Sequence, residues 1–216
     1  MATRLFFPLT EPSEIQPAVD AGWEDTDGVL RRRLSQTKGA STLTDGTSIG
    51  WTAGQDAIDR QYISDPMDSG ISFSAATCKC QIMVKESALN DNVTSRMGAR
   101  ILSRDGTTVR QTLFAVANFG PTTEYNTANR NKTFADGDTV TGSYTTVDGD
   151  RLCIEIGHSD ASGASIAATS NWGENGTDLA ENETATSGNP WIEFSNTITF
   201  QAEPPKPHNV NQPCIL

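Results

Sequence analysis

The feature that most constrains this chain is the two-residue spacing of its apolar side chains. Between Cys78 and Lys85, Cys78, Cys80, Ile82 and Val84 alternate with Lys79, Gln81 and Lys85, while Met83 falls on the second face. Successive side chains of a strand point to opposite faces, so this pattern predicts a strand buried on one side. Met97, Ala99 and Ile101 repeat it, as do Val109, Leu113, Ala115, Ala117 and Phe119 with Gln111 interrupting. Asp105-Gly106 lies between those two runs and predicts a hairpin closed by a type I′ turn. Leu152, Ile154 and Ile156 alternate with Arg151, Cys153 and Glu155; Ile192, Phe194, Ile198 and Phe200 oppose Trp191, Glu193, Thr197 and Thr199. Both runs read as long strands with one solvated face.

Shorter strands are expected at 5–9, 31–35, 47–52, 60–64, 71–74, 139–144 and 164–169. Five Asp-Gly pairs, 18 glycines and 27 threonines punctuate the runs, and no amphipathic pattern lasts three helical turns. Many short strands separated by turn signals predict an all-β fold, here a jelly-roll-like antiparallel β-sandwich. Its 216 residues fit one such domain. The expected organisation is an N-terminal arm (1–30), a sandwich (31–201) and a proline-rich C-terminal arm (202–216). The last of these holds four of the ten prolines and favours an extended path. Pro204, Pro205, Pro207, Ile215 and Leu216 are its candidate contacts with a neighbouring subunit.

The net charge of −11 is spread along the chain. Such a surface repels phosphate backbones and anionic lipid, so neither nucleic acid nor a membrane is an expected partner. No apolar stretch reaches the ~20 residues of a membrane span or the form of a secretory signal, which leaves the four cysteines expected as reduced, half-buried thiols made in a cytoplasm.

Candidate chemistry is sparse. Two histidines, His158 and His208, lie in no nucleophile motif, and no phosphate loop or dinucleotide fingerprint occurs. Cys78, Cys80, Cys153 and His158 could together supply zinc ligands, though a Cys-x-Cys spacing lacks the usual knuckle. Glu155 and Glu193 could act as the paired carboxylates of a glycosidase if brought within about 5–10 Å. Asp25-Thr-Asp27, Asp136-Gly-Asp138 and Asp148-Gly-Asp150 could offer oxygens to calcium, but none continues into a full binding loop, and ordinary turns account for them. Trp172, in the polar stretch Asn171-Trp-Gly-Glu-Asn-Gly-Thr-Asp178, and Trp191 are candidate glycan contacts. No cofactor is otherwise expected.

Three stretches carry a resemblance: Asp148-Gly-Asp-Arg-Leu-Cys-Ile-Glu-Ile-Gly157, Asn171 to Leu179, and Gly188-Asn-Pro-Trp-Ile-Glu-Phe-Ser195. They lie within a span of about 50 residues, 148–195, and resemble a pattern in β-sandwich structural proteins of tailed bacteriophages. The resemblance implies a non-enzymatic virion protein, of the capsid decoration or cement type. It would be made in a bacterial cytoplasm, bind major capsid subunits, and assemble as a homotrimer with its arms on its neighbours. A carbohydrate-binding or receptor-binding tail protein is the alternative that the same sandwich texture implies.

Overall fold

The structure, a computed structural model, describes residues 1–40, 46–50, 55–88, 92–118, 125–160, 167–172, 176–180, 183–184 and 188–201. Eleven strands run through the described residues: β1 (Thr3–Phe6), β2 (Leu30–Arg33), β3 (Gly46–Gly50), β4 (Asp56–Ile63), β5 (Thr77–Glu86), β6 (Val93–Leu102), β7 (Val109–Asn118), β8 (Arg130–Val140), β9 (Arg151–Asp160), β10 (Ala167–Asn171) and β11 (Trp191–Phe194). They form a β-sandwich of a six-stranded and a five-stranded sheet.

β5 organises the first sheet. One of its edges pairs with β8; the other is shared by β11 at Cys78–Gln81 and β10 at Met83–Glu86, with β1 outside β11 and β3 outside β10. The second sheet has the order β2, β4, β9, β6, β7. All pairings are antiparallel except β2 with β4, which is parallel and so departs from the antiparallel expectation. The core lies between the sheets, where Cys78, Cys80, Ile82 and Val84 face Met97, Ile101, Leu152, Ile154 and Ile156, all buried. At about 25 cal/mol per Å² of apolar surface removed from water, this filled layer is the main force holding the sheets together.

The strongest alternations therefore map onto strands with the expected inward faces. The departures have local causes. In β7, Leu113 is buried but Val109, Ala115 and Ala117 are exposed: β7 is the edge strand of its sheet, and the register shifts against β6 set Val109 opposite the outward Leu102, while Phe114, opposite Ala99, packs on the core. The hairpin between β6 and β7 is present, yet only Gly106 has positive φ (75°), and Gly106 N–H donates to Ser103 O. That is a turn ending in a left-handed glycine, not a type I′ turn, which needs positive φ at both central residues. β11 stops at Phe194, although Ile198 stays buried and Phe200 still packs on the core. Residues 71–74 make only a Ser72–Thr145 bridge, and of the strand expected at 139–144 only Thr139 and Val140 belong to one, as the end of β8, which begins at Arg130.

Residues 1–30, expected as an arm, lie along the sandwich. β1 pairs with β11, and Leu5, Phe7 and Leu9 enter the core. The chain then crosses to the outer face of the second sheet, bridging Pro12 to Arg32, and residues 13–27 form a strap over β9, β6 and β4. The reason is visible in the strand: Cys153, on the face expected to be wet, forms a buried apolar patch with Ile63 and Leu102, and Ile15 of the strap packs on it.

Candidate functional site

Two buried polar clusters are the places where chemistry-bearing side chains meet. The first is the anchor of the strap. Glu155, outward on β9 and only 1% exposed, accepts hydrogen bonds from Gln61 Nε2 (2.9 Å), Trp23 Nε1 (2.9 Å), Arg100 and the backbone N–H of Asp20 (3.2 Å). Arg100 also donates to Ala18 O (2.9 Å) and lies 3.4 Å from Asp20. A carboxylate so enclosed is affordable only because each of its lone pairs is met by a donor. The expectation of a solvated Glu155 is thus corrected: alternation placed it on the outer face, but the strap adds a third layer there.

Gly157, two residues on, shows how close that layer lies. A methyl group in its place would overlap the Ala57 carbonyl oxygen and sit 2.7 Å from the Trp23 ring. Beneath the strap, burial and the neighbouring Glu155 charge push the Cys153 thiol well above its usual range, with Arg100 opposing in part.

The second cluster joins the two sheets inside the sandwich. His158 on β9 and Asp59, the bulged residue of β4, lie 2.9 Å apart, and Ser170 of β10 reaches Asp59 Oδ2 (2.7 Å) and His158 Nε2 (3.2 Å). All three are at most 3% exposed, and the Tyr125 ring packs edge-on against His158. The residue types are those of a hydrolytic triad, and the imidazole meets Ser170 through Nε2 and Asp59 through Nδ1 as it would in one. Two things differ: Ser170 also donates directly to Asp59 at the shorter 2.7 Å, and all three side chains are closed off from solvent. The arrangement is a polar tie across the core. Residues 59, 158 and 170 carry no common motif, and nothing in local spacing could have joined them.

The sequence-level candidates fall elsewhere. Cys78 and Cys80 point into the core from the first sheet, whereas Cys153 faces outward from the second, so the proposed zinc set is not assembled. Among the described residues, no three His, Cys, Asp or Glu side chains gather as a metal would require. Asp25 accepts from Asp27 N–H (3.0 Å) in an ordinary Asx turn; Asp150 accepts from Tyr144 Oη (2.7 Å) and Val147 N–H (2.9 Å). Asp136 and Asp138 have no described side chains. Glu193 remains at the surface of the first sheet, paired with Arg4 and Lys79 (both 2.9 Å), and Glu155 lies on the outer face of the other sheet under the strap. The pair does not frame a common cleft.

Trp172 is 1% exposed, packed against Phe7 and Tyr62 with the Arg60 guanidinium 5.3 Å from its ring centre. Its side chain plugs the core and offers no face to a sugar. Trp191 is 6% exposed, covered by Arg4 at 3.9 Å, and donates to Asp178 (3.1 Å). Pro204, Pro205, Pro207, Ile215 and Leu216 lie outside the described residues.

The residues of the three stretches singled out in the sequence prove to be fasteners. Arg151 donates to Arg104 O and Ser64 O and pairs with Glu14 of the strap (2.7 Å). Asp178 collects Arg4, Asn189 and Trp191. Partial burial raises the Asp178 carboxyl, but those donors outweigh it and hold the group below its ordinary value.

No family model and no curated protein matches the chain significantly. Among solved structures, it is similar to infectious bursal disease virus, Gt strain, with 12% identity and a TM-score of 0.32 over 83% of this chain and 40% of that one. The VP2 subviral particle of infectious bursal disease virus gives 10% identity and a TM-score of 0.28 over 83% and 41%. A CocE/NonD family hydrolase from Staphylococcus aureus gives 10% and 0.28 over 93% and 34%. The chain thus spans less than half the length of each, and likenesses this slight carry no argument about its role.

Proposed function

We propose that the chain is a non-enzymatic structural protein of a virion, and specifically a decoration or cement protein that binds the major capsid subunits of a tailed phage. The observation that supports this reading is the use to which the motif residues are put. Among the described residues that carry the resemblance, Asp150, Arg151, Glu155, Asn189 and Trp191 each fasten a loop, strap or strand to the sandwich. The side chains that could do chemistry are consumed in the same work, within a closed interior. On this reading Pro204, Pro205, Pro207, Ile215 and Leu216 contact neighbouring subunits, the protein assembles as a homotrimer, and it is made in the bacterial cytoplasm.

The test is to purify particles of the phage whose genome encodes the chain and to measure its ratio to the major capsid protein by quantitative mass spectrometry. A fixed ratio, lowered by deletion of 202–216 without loss of the fold, is expected. Particles that lack the chain altogether would overturn the proposal.

A further inference from the structure

The N-terminal segment and the sandwich fit together as two complementary pieces. Residues 1–27 supply β1, which sits at the very edge of the first sheet, the apolar plugs Leu5, Phe7 and Leu9, and the strap. The rest supplies the seat: the free edge of β11, the gap those plugs fill, the Ile63, Leu102 and Cys153 patch, and the Glu155 and Arg100 anchor. Among the described residues, no other strand lies beyond β1.

The two pieces are joined at Gly28, just before β2. Gly28 has a φ of +70° and nothing within 4 Å of where a side chain would stand, so the junction is an open, exposed turn. Pro8, Pro12 and Pro17 favour an extended path for the segment when it is off its seat. A seat built for this one sequence accepts the same sequence from another copy equally well, since every contact is reproduced and only the turn at Gly28 must open.

We infer that the outer face of the second sheet, together with the free edge of β11, is an interface for a second copy of this chain, which docks its residues 1–27 there by exchange. Exchange takes place while chains fold together, because withdrawing Leu5, Phe7 and Leu9 from a finished core is slow. The inference concerns self-association and holds whether or not the protein belongs to a virion.

Ile15 and Cys153 provide the test, since Ile15 of the strap packs on the patch that contains Cys153. Full-length Ile15→Cys/Cys153→Ala chains are refolded together with chains that keep Ile15 and Cys153, both carrying Cys214→Ser, and then mildly oxidised. A bridge between positions 15 and 153 can then form only between copies. The expected result is a disulfide-linked mixed dimer, mapped to those positions by peptide mass spectrometry, from a sample whose light-scattering mass is a multiple of one chain. A mass of one chain at every concentration overturns the inference, and so does an oligomer with no mixed bridge, which would have assembled through another surface. Particle composition is measured separately, so the virion reading can fail while this one stands.

Discussion

The two outer faces of the sandwich carry similar residues and behave as different materials. On the second sheet, Glu155 and Arg100 are roofed by the strap and almost fully buried, with an apolar patch beside them. On the first sheet, Glu193 meets Arg4 and Lys79 with their side chains between 16% and 35% exposed. Both glutamates occupy outward positions on strands. The difference comes from what lies above them, and it decides how much each is worth: buried partners cannot fall back on water, whereas surface partners can.

The largest effect should follow from filling the space between strap and sheet. Gly157→Ala puts a methyl group into the Ala57 carbonyl and the Trp23 ring, so β9 cannot keep its pairing with β4 while Trp23 stays in place. A loss of about 3 kcal/mol or more is expected from overpacking against backbone, read as a lowered urea midpoint. A variant of wild-type stability would show that the strap does not lie as described.

Next comes the comparison of the glutamates themselves. Glu155→Ala strands Arg100, Gln61 and the Trp23 indole in a dry site, at a cost of roughly 3–5 kcal/mol. Glu193→Ala, by contrast, should cost less than about 1 kcal/mol, because Arg4 and Lys79 are rehydrated. Equal losses in denaturant melts would erase the distinction between the faces.

A chemical probe sharpens the same contrast. Cys78, Cys80 and Cys153 are all buried, and burial pushes the Cys80 and Cys153 thiols up, so a Cys214→Ser protein should be nearly inert to a thiol reagent at neutral pH. Loosening the strap by Glu155→Ala should release Cys153 first, roughly tenfold faster than Cys78 and Cys80, with the modified residue identified by peptide mapping. Uniform labelling of the three would mean that the strap and the core open together.

How much of this was legible in sequence follows from the same geometry. Period-2 alternation reports which side of a strand a residue occupies, and it placed Ile154 and Ile192 in the core correctly. It cannot report a third layer, so Glu155 read as solvated and Cys153 as half-buried when residues 13–27 in fact cover them. Register shifts are equally silent: Val109 alternates properly with Leu113 and yet stands opposite the outward-facing Leu102. β8 went largely unseen because Arg130 to Val140 mixes charged, small and polar residues with no apolar period. The Asp59, His158 and Ser170 tie needs the pairing of β4 with β9 and of β10 with β5 before the three can be seen as neighbours.

The smallest effect concerns acid. Partial burial raises the Glu193 carboxyl, but the hydrogen bonds and charges of Lys79 and Arg4 prevail and hold it below its ordinary 4.5; Asp178 is likewise held below 3.8. A carboxyl whose folded-state pKa is depressed binds its proton more readily in the unfolded chain. The stability it adds is therefore complete above the unfolded value and disappears as pH falls through the folded one. Between neutral pH and the lower end of the carboxylate range, the urea midpoint should drift down, and Glu193→Ala should remove part of that drift. Salt at about 1 M should shrink the same part, since the Debye length there is only ~3 Å and these groups face solvent. The strap anchor should respond to salt hardly at all, because the strap keeps ions from Glu155. If salt instead weakened the Glu155→Ala difference as much as the Glu193→Ala one, the two faces would be equally wet, and the roof over the second sheet would have to be abandoned.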